Sequence, residues 1–393
     1  MDGRRTDPVR VRPFSRLFIA STVSNVGDGM LLAALPLLAH RLSDEPFTVS
    51  AVTAAATAPW LVFGLLAGAV VDRVDRLRLM VRADLARAVV AGGFAALVAT
   101  GHSSIPMAIV AVAILGIAET LFDTAAQSVV PAVVPAHELE RANGRLFGAQ
   151  IAGNGFVGPP LGALLFGLAA SVPFTVDAVT FAISALVLPR LRRPAPASAT
   201  TSLRRDVREG LAWLWADAGI RAFAIGAAVI NVAHTGVMAV AVLFVRHELG
   251  ASESSFGLVL AGVAAGGLVG TQAAAPLVAR IGRDRAVRLA IGSFVVALLA
   301  AGTARHVAVA TVALAVFGAA GEVWNVVAVS YRQARVPDHL LGRVMASYRV
   351  IAYGAMPTGA LLGGTLASAF GLRAPFFVGA ALVTGLLLYF TRR

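Results

Sequence analysis

The sequence predicts an all-α membrane protein in which twelve transmembrane helices form two six-helix bundles. Three observations lead there. The 393 residues are 58% hydrophobic and only 14% charged, with a mean hydropathy of +0.80, whereas a soluble domain carries about 25% charged residues. The apolar residues fall into twelve runs, each long enough to cross a hydrocarbon core about 30 Å thick. Motifs of the first six runs recur in the second six at an offset of about 202 to 207 residues, which marks two parallel halves rocking around a central site.

The runs of the first half cover 14–40, 47–71, 80–99, 104–130, 146–169 and 173–190. Those of the second half cover 221–245, 256–278, 286–303, 307–331, 346–370 and 374–391. Residues 1–13 are polar and arginine-rich, unlike a cleavable signal, so the first run is expected to stay as a helix. Between the halves, the Pro/Ala/Ser/Thr part of 191–220 reads as a linker, and "LRRDVREGLAWLW" within it as an amphipathic helix on the membrane surface. The expected organisation is therefore a first bundle over 1–190, a linker over 191–220 and a second bundle over 221–393.

Every one of the 33 basic residues is an arginine. With so much Ala, Gly and Val, that fits a GC-rich bacterial genome. Twenty-seven of them fall in the termini and in alternate loops, and only Arg41, Arg246, Arg305 and Arg373 occupy the other loops. Cationic loops stay cytoplasmic, so both termini are expected there, in a multi-pass protein of the bacterial inner membrane.

Composition also excludes classes of function. The net charge of +12 is dispersed between apolar runs rather than gathered on a soluble face, so nucleic acid is not an expected partner. The absence of cysteine removes thiolate metal sites and cysteine nucleophiles. The absence of lysine removes a P-loop, leaving an ion gradient, or a separate ATPase, as the energy source. "GNGFVG" (Gly153 to Gly158) fits a dinucleotide fingerprint, but it lies within a membrane run and before Pro159 and Pro160, where helix packing and a bend explain it. With no G-x-S-x-G or H-E-x-x-H, no catalytic residue, cofactor or metal site is expected. The expected protein is a monomeric transporter whose partners are the bilayer, a small-molecule substrate and protons.

Ionisable groups inside spans cost about 2.5–3.5 kcal/mol each and normally face the bundle interior. Asp28 lies about 21 Å of helical rise from the start of its run, with Asn25 one turn earlier on the same face; it either binds a proton or cationic group or hydrogen-bonds a partner helix. Glu119, Asp123 and Gln127 of "AETLFDTAAQ" share one face of the fourth run. Glu119 reaches mid-depth and is the proton candidate, while Asp123 lies nearer the arginines of the second loop. In the second half Glu322, Trp324 and Asn325 share "GEVWN", where Trp324 either faces a hydrophobic substrate or serves packing, towards lipid or in the core. Aligning the halves sets Asp28, Asp72, Asp123 and Asp177 against His234, Ala279, Asn325 and Gly379, so the acids concentrate in the first bundle. His234 titrates near neutrality or is simply hydrogen-bonded. Asp84 and Arg87, three residues apart, are expected to satisfy each other. Asp177 sits a few residues into the sixth run and reads as an extracellular structural or gating group. Arg349 needs a carboxylate or carbonyl partner that the sequence does not identify.

"GAVVDRVDRLR" (Gly68 to Arg78), "GPPLGA" (Gly158 to Ala163), "VGDGMLLAALPLLA", "LERANG" and "VWNVVAVSYRQARVPDHLLGRV" together resemble the major facilitator superfamily over almost the whole chain, and within it the bacterial macrolide-efflux and enterobactin-exporter branch. The resemblance implies the major facilitator fold and a proton-coupled exporter of hydrophobic drugs, natural products or siderophores. It implies an inner-gate motif of Gly68, Asp72, Arg73, Arg76 and Arg78 latched by Asp123, with Asp75 replacing the usual glycine and Leu77 one basic residue. It also implies an antiporter-type fifth helix at Gly158, Pro159 and Gly162, departing from the pattern at Asn154 and Ala163. Import of a polar nutrient such as a sugar is the competing expectation; it calls for more polar and aromatic side chains in the cavity than four Trp and four Tyr suggest.

Overall fold

A computed structural model describes residues 8–63, 66–71, 73–135, 138–190 and 203–392. The described residues are almost entirely helical: α1 (Pro8–Leu42), α2 (Pro46–Phe63), α3 (Leu66–Val71), α4 (Arg76–Ala99), α5 (Ile105–Val133), α6 (Leu139–Gln150), α7 (Gly158–Leu168) and α8 (Val172–Val187) make the first half. After α9 (Leu203–Ala216), the second half comprises α10 (Ala218–Leu243), α11 (Glu253–Ile281), α12 (Arg283–Thr303), α13 (Val307–Arg335), α14 (Asp338–Gly354), α15 (Met356–Phe370) and α16 (Ala374–Thr391). Among the described residues ten spans are long and apolar enough to cross a membrane, and α8 is a shorter apolar helix. Charged α4, which opens "RLRLMVRADLAR", completes the twelve.

Helices outrun the apolar runs because backbone hydrogen bonds continue past the last apolar residue; α1, for instance, extends to Leu42. The signals at their ends are local. Asp75 caps α4 by accepting from the Arg78 N–H at 3.0 Å, and Asp217 caps α10 by accepting from Gly219 and Ile220. Two spans are interrupted at equivalent places in the halves. The fifth widens into a π-helical turn over Ile151–Val157 ahead of Pro159 and Pro160, which supply no N–H, and the eleventh breaks between Gly354 and Met356 ahead of Pro357. The repeat seen in the sequence thus reappears as a shared irregularity.

Those interrupted spans pack tightly on the first span of their own half. A Cβ on Gly158 would sit 2.5 Å from Gly29 Cα, and one on Gly162 would overlap the Met30 carbonyl oxygen. In the second half a Cβ on Gly363 would overlap the Gly236 oxygen in the same way. Without a hydrophobic drive between helices in lipid, such backbone approach is what holds them. The glycine–proline stretch therefore belongs to a helix crossing, as its sequence context suggested.

The end where α1 begins and α16 finishes is here called the near end, and the opposite one the far end. At the far end the bundles are tied together. Arg41 of α1 donates to both oxygens of Glu253 on α11, at 3.2 and 2.8 Å. Ser368 of α15 accepts from the Phe47 N–H at 3.2 Å and donates to Glu45 at 2.5 Å. The amphipathic helix is present as α9, but it lies against α14: a Cβ on Gly210 would meet the Arg343 carbonyl, and Arg343 donates to Glu209 at 2.5 Å.

Candidate functional site

Arg87 organises the centre of the first bundle. It projects from α4 and is 1% exposed, so its charge has to be met by protein. Its Nη2 donates to Asp28 Oδ1 on α1 at 2.6 Å, while Nη1 lies 3.2 Å from Asp84 Oδ1 and 3.5 Å from Ser24 Oγ. The guanidinium also stacks 3.9 Å above the Phe181 ring of α8, a cation–π contact within apolar surroundings. The expected Asp84–Arg87 pair forms, but with Asp28 as a second and closer acceptor. Asp28 is thus bonded to a partner helix, as the structural alternative has it, and also lines a cavity.

That cavity has a volume of about 610 Å³, including space open to solvent, and runs from Asp28 towards the near-end portions of α5 and α6. Its wall joins Ser21, Ser24, Asn25, Asp28 and Arg87 to Phe122, Asp123, Ala126, Gln127 and Val130 of α5 and to Leu146 and Gln150 of α6. Asn25 shares a face of α1 with Asp28, and Asp123 and Gln127 share a face of α5, as the helical spacing predicts.

Two expected placements change, and one open alternative closes. Among the described residues no arginine is within ion-pair reach of Asp123; Arg76 instead donates to the Ser128 carbonyl, more than a turn further along α5, at 3.0 Å. Asp72 lies outside the described residues, Gly68 lies in α3, and Arg73 is exposed. Asp177 is not a far-end group. It is fully buried, and a Cβ on Gly27 of α1 would overlap its Oδ1, placing it beside the Asp28 turn. Trp324 does not face a cavity: it is 4% exposed, with Phe223 and Phe390 rings 5.2 and 5.6 Å away.

The remaining second-half candidates do not join the first-half cluster. His234 stacks on Phe317 at 5.4 Å, Glu322 approaches Gly267 of α11, and Asn325 is exposed. Arg349, also exposed, makes no ion pair among the described residues, yet its charge is one of those acting on Asp123. Glu119 is half-buried and does not line the cavity; Asp28, Asp123 and Arg87 are its charged neighbours. Asp28, Asp84, Glu119 and Asp177 all act electrostatically on Arg87. With Asp123, five carboxylates from four helices therefore gather about one guanidinium. Sequence reasoning missed this role of Arg87; the available signal was an arginine well inside the third span and an aspartate, Asp28, well inside the first.

It also missed Arg332, which is 2% exposed and stacks 3.5 Å over Tyr348. The local spacing gave no sign of that contact, because Tyr348 comes from the next span.

Two six-helix bundles, the first of which carries a polar, charge-bearing cavity, define a multi-pass membrane transporter. The chain belongs to the transmembrane secretion effector family of the major facilitator superfamily, whose family model matches residues 5–393. It is 29% identical over 383 residues to the multidrug efflux pump Tap of Mycobacterium tuberculosis strain H37Rv, an alignment covering 93% of this chain and 89% of that one. Its fold is similar to that of the nucleoside transporter NupG, with a TM-score of 0.75 at 14% identity over 96% of this chain and 98% of that one. It is likewise similar to a bacterial homologue of the lysosomal transporter Spinster in an inward-facing, occupied conformation, with a TM-score of 0.78 at 13% identity over 99% and 97% of the two chains.

Proposed function

We propose that this chain is a secondary exporter of amphiphilic or hydrophobic small molecules, such as a drug, natural product or siderophore, that moves them out of the cell in exchange for protons. The supporting observation is the Arg87 cluster at the cavity wall. One guanidinium cannot neutralise five neighbouring carboxylates, and uncompensated charge in a membrane interior is costly. The cluster is therefore suited to hold protons and to trade them as its neighbours change. A proton or a cationic substrate arriving at Asp28 competes with Arg87 for the same oxygen. The two conformations of the bundles then differ in their affinity for protons and substrate, which is what couples one flux to the other. Similarity to a multidrug efflux pump over nearly the full length supports export.

In this reading the near end is cytoplasmic, as the arginine distribution indicates, and the cavity takes its substrate from the cytoplasm or inner leaflet. The protein works as a monomer in a bacterial inner membrane, with the bundles divided at the 191–220 linker. Import of a polar nutrient is favoured by one observation, that eight of the twelve cavity-wall residues are polar, although most of the wall's exposed surface is apolar. Transport in proteoliposomes under an imposed pH gradient separates the readings. Substrate moving against the proton flux, with transport lost in Asp28→Asn and Glu119→Gln, supports antiport. Movement with the proton flux supports import, and gradient-driven efflux intact in both variants overturns the assignment of those carriers.

A further inference from the structure

We propose that the far end of the molecule carries a divalent transition-metal site that bridges the two bundles and holds this end closed. Three side chains form it: His40 from the last turns of α1, Asp44 from the following loop, and His247 from the π-helical segment Phe244–Glu248 that continues α10. Their ligand atoms all lie within 4.8 Å of one another. His40 Nδ1 is 2.9 Å and His247 Nε2 is 3.3 Å from the same oxygen, Asp44 Oδ1. Neighbouring ligand atoms on a tetrahedral metal with bonds of about 2.0–2.1 Å are about 3.3 Å apart, so these separations already resemble edges of such a site.

The bonding supports a cation rather than a settled hydrogen bond. His40 Nδ1 is buried and, despite its closeness to the carboxylate, makes no hydrogen bond to it. Two electron-rich atoms that close, without hydrogen-bond geometry, are reconciled by a positive ion between them. Two imidazoles and one carboxylate suit Zn²⁺ far better than Mg²⁺ or Ca²⁺, which prefer all-oxygen shells. The His40 side chain is 13% exposed and anchors the site, whereas His247 and Asp44 at 49% and 73% leave it open to solvent for metal access and a fourth, water ligand. Of the nearby cations, Arg41 is neutralised by Glu253, while Arg246, which also acts on His40, donates to the Ala251 carbonyl at 3.0 Å and keeps its charge.

Because His40 and Asp44 belong to the first half and His247 to the second, a bound ion spans the seam already crossed by Arg41–Glu253 and Glu45–Ser368. Separating the bundles at this end pulls His247 away and destroys the site. Metal binding thus favours the closed far end by the difference in affinity between the two conformations. No metal site was expected from the sequence, since beyond the pair His40 and Asp44 its third ligand, His247, comes from more than 200 positions away.

The test uses tag-free, full-length protein in detergent micelles, with ZnCl₂ as the probe. Calorimetric titration is expected to show one Zn²⁺ per chain and no MgCl₂ binding, with affinity falling by more than about tenfold in both His40→Ala and His247→Ala. Bridging is read separately. The chain lacks cysteine, so Met107→Cys and Val309→Cys place spin labels on exposed far-end positions of opposite bundles. Zn²⁺ should narrow their distance distribution towards the shorter values, and should fail to do so when His247→Ala is added. If His40→Ala does not fold, His247→Ala, whose ring is half exposed, carries both measurements. Absence of Zn²⁺ binding, binding that survives His247→Ala, or binding without narrowing overturns the proposal. None of these readouts requires transport, so they stand or fall independently of the export reading.

Discussion

Replacing Arg87 by Met tests the central cluster most directly. The substitution keeps a long apolar stem under Phe181 but removes the cation from Asp28 at 2.6 Å and Asp84 at 3.2 Å. Breaking a buried ion pair from one side costs about 3–5 kcal/mol, because the remaining charge is left uncompensated. Asp84 is fully buried and Asp28 mostly so, so the penalty belongs near the upper part of that range. Part of it is recoverable. Adding Asp28→Asn to Arg87→Met removes one orphaned carboxylate, and the double variant should regain roughly 1–3 kcal/mol, the usual coupling for residues within one charge network. Unfolding in mixed micelles at neutral pH, measured for wild type, both single variants and the double, closes the cycle. Arg87→Lys should recover less than half of the loss, since one ammonium cannot reach both carboxylates with the geometry of a planar fork. If the double variant is no more stable than Arg87→Met alone, Asp28 is not held by that ion pair and the description of the cluster is wrong.

Other predictions are more local. Gly162→Leu should abolish folded protein, because even a Cβ there runs into the Met30 carbonyl, as judged by monodisperse elution in detergent. Gly93→Ala, where nothing lies within 4 Å of the added atom, should instead stabilise α4 by about 0.5–1 kcal/mol in the same unfolding assay. Glu45 lies in the far-end loop. Slight burial would raise its pKa, but hydrogen bonds from Ser368, Thr48 and Phe47 outweigh that and hold it down at about 2. A depressed carboxylate contributes stability above its unfolded value of about 4.5, and that contribution is lost as pH falls through about 2. The thermal stability gap between wild type and Glu45→Ala should therefore be full at pH 6 and shrink steadily below pH 4.5; a gap independent of pH would show that the charge is not what Glu45 contributes.

Much of the molecule is written locally. Apolar run length set the number of crossings, because a helix must satisfy its own backbone in lipid and must be long enough to span it. The repeat in the sequence anticipated two like bundles, and Pro159 and Pro160 anticipated the irregular fifth span. Helical spacing placed Asn25 with Asp28, and Asp123 with Gln127, on single faces that line the cavity. Periodicity states which side chains share a face, but not which helix covers that face. For that reason Asp177, read as an outer group, proved to be pressed against Gly27, and Asp123 lay towards the cavity rather than in ion-pair reach of a described arginine. Trp324 went from two open alternatives to one once Phe223 and Phe390 enclosed it.

Hydropathy and composition along single segments are enough to define the membrane-spanning helices, their two-fold repeat and the concentration of acids in the first half. The packing of helices in three dimensions is what gathers those acids about Arg87 and brings His40, Asp44 and His247 together across the seam. Charges and ligands act over a few ångströms of space, and the chain supplies those atoms from positions far apart in sequence.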